Sequence, residues 1–209
     1  MRPNQRDQRE ITKSKVLLVE GQDEVNFFEA MLRKANKLDQ VEIIEVGGKD
    51  KFRTEFPAIV NMTGFSQHVQ SIGIVRDADE NYMAAFQSVA NVVERNGYTP
   101  PRDPNTFNSD GDVKVGIFIM PGNSENGMLE DLCLRTQADH PVMQCVEAFF
   151  QCIASKEIDQ PKNIAKAKSQ VFLAAMPDIA KSVGLGAKKN YWNLDHDCLF
   201  ELKQFLAEL

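Results

Sequence analysis

Four short apolar runs, each closed by polar or glycine residues, constrain the fold of this chain more than any other feature. They are KVLLVE at 15–20, VEIIEV at 41–46, SIGIVRD at 71–77 and VKVGIFIM at 113–120. Runs of this length, rich in β-branched residues, predict strands buried between layers. Between them, apolar residues recur at three- and four-residue spacing. Phe28, Met31, Leu32 and Ala35 join Glu24 after the first run, and Met83, Phe86, Val89, Ala90 and Val93 follow the third. That spacing is helical. Strand and helix in alternation predict the α/β class, with a parallel sheet and helices on both of its faces.

The remaining segments fit around this frame. Phe52, Phe56, Ile59 and Val60 predict a further helix interrupted by Pro57, and the proline-rich segment 99–112 is expected to be the longest irregular stretch. From Pro141 onward strands cease and three helical patterns follow. Residues 15–135 therefore read as the core, 136–209 as a helical extension packed on it, and 1–14, which carry no period, as a mobile arm. Cys145 and Cys152 are seven apart and are expected to share one buried helix face. Neither a zinc ribbon nor a disulfide framework is written here, because Cys133, Cys145, Cys152 and Cys198 form no CxxC pair and His68, His140 and His196 are scattered.

Composition narrows the function classes. A chain that is 43% hydrophobic and 26% charged builds a full core. No apolar run is long enough to span a bilayer, and no apolar signal follows the basic start, so a cytoplasmic protein is expected. The net charge of -6 argues against a general electrostatic grip on nucleic acid, although lysines cluster at Lys49 and Lys51, at Lys162, Lys166 and Lys168, and at Lys188 and Lys189. Such clusters are more often solvated faces.

Acidic residues sit where strands end. Glu20 closes the first run, Asp77 and Asp79 close the third, and Glu125, Glu130 and Asp131 follow the fourth. In an extended chain residues two apart face the same way, about 6.6 Å apart, so Asp77 and Asp79 are placed to share one ligand. Open parallel sheets gather ligands at the carboxyl ends of their strands, and Glu24, one helical turn past Glu20, is placed to lean toward the same point. Read structurally instead, Asp79 caps the next helix, and Glu24 and Glu130 are first-turn helix acids. Crowded carboxylates repel, and a divalent cation with oxygen preference, magnesium or manganese, removes the conflict.

The stretches LLVEGQDEVNFF and GIVRDADEN together resemble the TOPRIM domain shared by topoisomerases, bacterial primases and OLD-family nucleases, over residues 15–135. The resemblance implies a Rossmann-like core with a C-terminal helical cap. The pairing of Glu20 with Glu24 is similar to OLD-type nucleases, which implies metal ligation by Glu20, Glu24, Asp77, Asp79 and Glu130, with Glu20, Asp77, Asp79 and a downstream lysine, Lys166 or Lys168, in catalysis. Met128 stands where that family often has a serine, which leaves Ser124, Glu125 and Asp131 as competitors for completing the site. The activity implied is hydrolysis of DNA or RNA with Mg2+ or Mn2+. OLD-type proteins carry an ATPase in the same chain; no GxxxxGK[ST] loop occurs here, so a separately encoded ATPase partner is implied. A TOPRIM maturation ribonuclease, and a binding module that holds metal and nucleic acid without cleaving, are the alternatives.

Overall fold

The computed structural model describes residues 10–156 and 158–209. A five-stranded sheet in the order β2-β1-β3-β5-β4 is its frame. The strands are β1 (Lys15–Val19), β2 (Val41–Glu45), β3 (Ser71–Asp77), β4 (Thr106–Asn108) and β5 (Lys114–Met120). The first three and β5 pair in parallel, with Leu17 beside Ile43 on one side and Gly73 on the other. The connection from β1 runs to β2 on one side and that from β3 toward β4 and β5 on the other, so strand order reverses between β1 and β3.

Sequence reading missed β4, which lies inside the segment expected to be irregular. It is three residues long and pairs antiparallel with β5, placing Phe107 opposite Gly116. A strand this short, preceded by Asn105 and ending in Asn108, carries no alternation to detect.

Both faces of the sheet are covered, and strand residues divide between them by parity. Val16, Leu18, Ile72, Ile74, Ile117 and Ile119 face α2 (Phe52–Val60), α3 (Phe65–His68) and α4 (Tyr82–Arg95). Leu17, Val19, Val75, Phe118 and Met120 face the other way. There they meet α1 (Gln22–Lys34), α5 (Leu129–Arg135) and residues of the C-terminal helices α6 (Pro141–Ser155), α7 (Ile164–Ala174), α8 (Val183–Lys188) and α9 (Phe200–Glu208). Trp192 joins that second core by stacking on Phe172 while its indole N–H donates to the Val183 carbonyl at 2.7 Å, the polar handle a buried tryptophan needs.

Four local expectations are corrected. α2 runs through Pro57. Met83 is exposed, since α4 buries Tyr82, Phe86, Val89 and Val93 instead. Cys145 and Cys152 are both exposed, because α6 turns Val146 and Phe150 inward. Of the expected arm, residues 1–9 lie outside the described residues, whereas Ile11 is fully buried and its N–H donates to the Thr63 carbonyl at 2.9 Å. Among the described residues no helix is long and apolar enough to cross a membrane.

Candidate functional site

The carboxyl ends of β1 and β3 open into a crevice of about 810 Å3, lined by Glu20, Glu24, Asp77, Asp79 and Glu130. All five predicted acids thus come together, at the place where strand order reverses. Lys166, from the first turn of α7, lines the same crevice with Asn163, and Ser182 and Leu185 complete that wall.

Each acid reaches the crevice by its own local route. Glu20 follows β1 and accepts the Asp77 N–H at 3.2 Å, so its side chain bridges to the neighbouring strand, with the Arg76 Nε 3.7 Å from the same oxygen. Burial pushes its pKa up, against the pull of the Asp77 N–H and Arg76. Glu24 stands in the first turn of α1, so the first-turn helix role considered from sequence is real, and it also reaches back to accept the Gly21 N–H at 3.0 Å. Its pKa is also raised, chiefly by burial.

Asp77 ends β3, and its Oδ1 accepts the Leu129 N–H at 3.1 Å at the start of α5. Burial pushes this carboxyl well above the usual range, and Glu20, Glu24 and Glu130 push it further. Asp79 arrives differently from the expected strand alternation. Its φ of 51° breaks the extended chain, and its Oδ2 lies 2.7 Å from the Lys49 ammonium. Asp79 does not cap α4, for Asn81 does so by accepting the Ala84 N–H.

Glu130 is buried in the first turn of α5, with the Lys166 ammonium 3.7 Å from its Oε1. Its competitors lie elsewhere. Glu125 is paired with Arg135 at 2.6 Å, and Ser124 bonds the Tyr82 hydroxyl. Asp131 accepts the Met128 N–H at 2.9 Å and lines an adjoining crevice. Lys168 points away and is paired with Glu147 on α6. Lys188 pairs with Glu29, and Lys189 with Asp178.

Lys49, Asn163 and Ser182 were not singled out from sequence as site residues. Lys49 had a usable signal, since a residue just past the carboxyl end of β2 lies at the same sheet edge as Glu20. Asn163 and Ser182 had none, because α7 and α8 each begin with such a residue for the helix's own sake: Asn163 accepts the Lys166 N–H and Ser182 that of Leu185.

The cap is fastened to the helix that carries Glu24. Asp23 accepts from the Ser182 hydroxyl and from the Gly184 N–H, the latter at 3.2 Å. Only glycine fits at 184, where a Cβ would stand 2.3 Å from the Asp23 carbonyl oxygen. Asn163 meanwhile donates to the Met128 sulfur at 3.1 Å, joining the start of α7 to the start of α5.

The donor set is entirely carboxylate oxygen, which suits a hard divalent cation; burial chiefly raises the Asp77 pKa, and the crowding by Glu20, Glu24 and Glu130 that adds to it is what such a cation relieves. Among the described residues no three acidic, histidine or cysteine side chains already converge as a metal cage. Each of the five carboxylates is instead held by a protein donor: two lysines for Asp79 and Glu130, and backbone N–H groups for Glu20, Glu24 and Asp77.

Residues 14–209 match a family described only as a protein of unknown function, DUF3226. The chain belongs to the DUF3226 family. No curated protein matches this DUF3226 member. Among solved structures, a hypothetical protein from Pyrococcus horikoshii OT3 is similar at 15% identity and a TM-score of 0.45, over 94% of this chain and 95% of that one. The C-terminal region of the Xanthomonas campestris pv. campestris OLD protein is similar at 16% identity and a TM-score of 0.37, over 94% of this chain and 98% of that one.

Proposed function

We propose that this DUF3226 chain is a TOPRIM-type phosphodiesterase of OLD-like character, hydrolysing DNA or RNA with Mg2+ or Mn2+ held by Glu20, Glu24, Asp77, Asp79 and Glu130. The observation that carries the reading is the meeting of these five acids in one crevice at the ends of β1 and β3, with Asp77 crowded by three others. Two divalent ions there would supply Lewis-acid activation of water and of the leaving oxygen. The chain's own groups do the rest. Glu20 and Asp77 are fixed to each other by the Asp77 N–H, so the ends of β1 and β3 present their oxygens in a set relation. Lys166, mostly exposed and within reach of Glu130, is placed to pair with a phosphoryl oxygen. Asn163, Lys166, Ser182 and Leu185 border the crevice on the side of α7 and α8. A separately encoded ATPase belongs to the same reading.

The test is incubation of the purified protein with single- and double-stranded DNA and RNA in Mn2+ or Mg2+, beside Asp77→Asn. Cleavage by wild type and a loss of more than about a hundredfold in the variant are expected, since removing a metal ligand costs several kcal/mol of transition-state stabilisation. Equal cleavage by the two proteins refutes the assignment. A second reading, a module that binds metal and nucleic acid without turnover, uses the same five acids and differs from the first in turnover alone. Binding of Mn2+ without cleavage of any substrate would decide for it.

A further inference from the structure

Lys49 has no part in the reaction as just described, yet its ammonium lies 2.7 Å from Asp79. It sits just past β2, after Gly47 and Gly48, whose N–H groups donate to the Glu20 carbonyl at 2.9 and 2.8 Å. The start of this turn is therefore pinned to the end of β1. The pinned glycines take φ of 82° and 106°, a path few other residues follow, and the Lys49 side chain beyond them is half-exposed.

Asp79 lines two crevices. One is the acidic crevice already described. The other, of about 780 Å3, adjoins it across Asp79, Met128 and Asn163, and is lined by Lys49, Arg76 and Lys162. Glu80 and Asp131 also border this second space, but the Asp131 Oδ2 is taken by the Met128 N–H. Lys49 and Lys162 thus border the space on one side of Asp79, together with Glu80, Asp131 and an Arg76 already engaged by Glu20 and Ser88, while Glu20, Glu24, Asp77 and Glu130 line the space on the other. An ammonium at hydrogen-bond distance and a divalent ion held by Asp79 would both draw on the charge of that one carboxylate, so the two cations would compete for it.

Resting on the phosphodiesterase reading, we propose that Lys49 holds Asp79 until a divalent cation takes its oxygen, and that the displaced ammonium then pairs, with Lys162, with the phosphate next to the scissile one. The substrate this arrangement takes is a polynucleotide strand with at least one further phosphate on the basic side. Lys49 is in this sense a binding residue with two successive partners, and its removal acts in opposite directions on the two ligands.

Lys49→Met and Lys49→Arg test this without relying on activity. Mn2+ binding, measured by isothermal titration with no nucleic acid present, should be about two- to fivefold tighter in Lys49→Met, the range expected for losing a partly exposed ion pair. Binding of a fluorescein-labelled single-stranded oligonucleotide, measured by anisotropy in Ca2+, should weaken in the same variant. The slope of log K against log salt should become shallower by about 0.7, one phosphate contact on a single strand. Lys49→Arg should restore the slope. Unchanged or weaker Mn2+ binding in Lys49→Met overturns the role of Lys49, as does an unchanged salt slope. Absence of Mn2+ binding by wild type overturns the phosphodiesterase reading itself, and is thereby distinguishable from failure of this one residue.

Discussion

Asp79 and Gly127 exchange both of their backbone hydrogen bonds, each 2.9 Å long, as an isolated antiparallel bridge. The bridge ties the loop after β5 to the segment after β3, and so fixes the Asp79 carboxylate relative to Glu130. Gly127 takes a φ of 137°, and a Cβ there would stand 2.8 Å from the Asp131 Oδ2. Gly127→Ala is therefore expected to destabilise the fold by about 1–3 kcal/mol. Glu80→Ala, at an exposed neighbour, should stay within about 0.5 kcal/mol. Urea unfolding of both variants checks this, and a Gly127→Ala midpoint equal to that of wild type would show that position 127 accepts a side chain without strain.

Asp79→Asn separates metal binding from structural work. Asparagine tolerates a positive φ well, and the lost Lys49 pair is partly exposed on both sides, so in chelator the variant should lie within about 1 kcal/mol of wild type. About 5 mM divalent ion acting on a site of about 1 mM Kd should stabilise wild type by roughly 1 kcal/mol, or about 2 to 4 °C. The variant should lose most of that gain. Equal ion-induced shifts in Tm would remove Asp79 from the ligand set.

Asp77 gives a pH signature. Its folded-state pKa is raised by burial and by Glu20, Glu24 and Glu130, so the folded form favours the proton more than the unfolded form does. In chelator the group's contribution to stability is complete below the ordinary aspartate pKa of about 3.9 and is lost as pH rises through the folded value. Asp77→Asn keeps a neutral acceptor at Oδ1 and carries no such loss. The Tm of the variant minus that of wild type should therefore grow as pH rises, and saturating Mg2+ should reverse its sign. A difference that is flat or shrinking with pH in chelator contradicts the crowding.

The two lysines of α7 should behave differently. Lys166 lines the crevice, whereas Lys168 is held by both oxygens of Glu147 at 2.6 and 2.8 Å. Lys166→Ala should weaken oligonucleotide binding and make its salt slope shallower, and Lys168→Ala should leave both unchanged. Equal effects would mean that α7 acts as a diffuse basic face.

Thiol labelling reports the orientation of α6. Cys145 and Cys152 are exposed and should react with a disulfide reagent in the native state, while Cys133, fully buried and with its pKa pushed well up by that burial, should react only on unfolding. Slow labelling of Cys145 and Cys152 would reverse the assignment of the helix faces.

That last case shows where sequence reading stops. A seven-residue repeat in α6 establishes that Cys145 and Cys152 share a face, but Val146 and Phe150 repeat equally well, and only packing against the rest of the core decides which pair turns inward. The strands were legible because buried parallel strands are apolar throughout, and the acids because a parallel sheet brings its carboxyl ends to one edge. Choosing Glu130 over Glu125 was not legible from composition, since both follow β5 and only the path of the loop sends one into the crevice and the other to Arg135. Lys49 was visible as part of a basic cluster. Its contact with Asp79 depends on a turn whose direction Gly47 and Gly48 set.

The fit of Gly184 against Asp23 bears on the order in which the crevice comes into being during synthesis. A nascent chain emerged as far as residue 135 already carries Glu20, Glu24, Asp77, Asp79 and Glu130 on an open sheet edge. The opposite wall, with Asn163, Lys166, Ser182 and Leu185, lies beyond the ribosome exit only after a further fifty residues. Because Ser182 and Gly184 grip Asp23 on α1, closure of the crevice joins the first and last thirds of the chain and requires residues made after all five acids. The acids are thus translated early and enclosed late, so a shortened nascent chain displays them to solvent before the Lys166 wall is there.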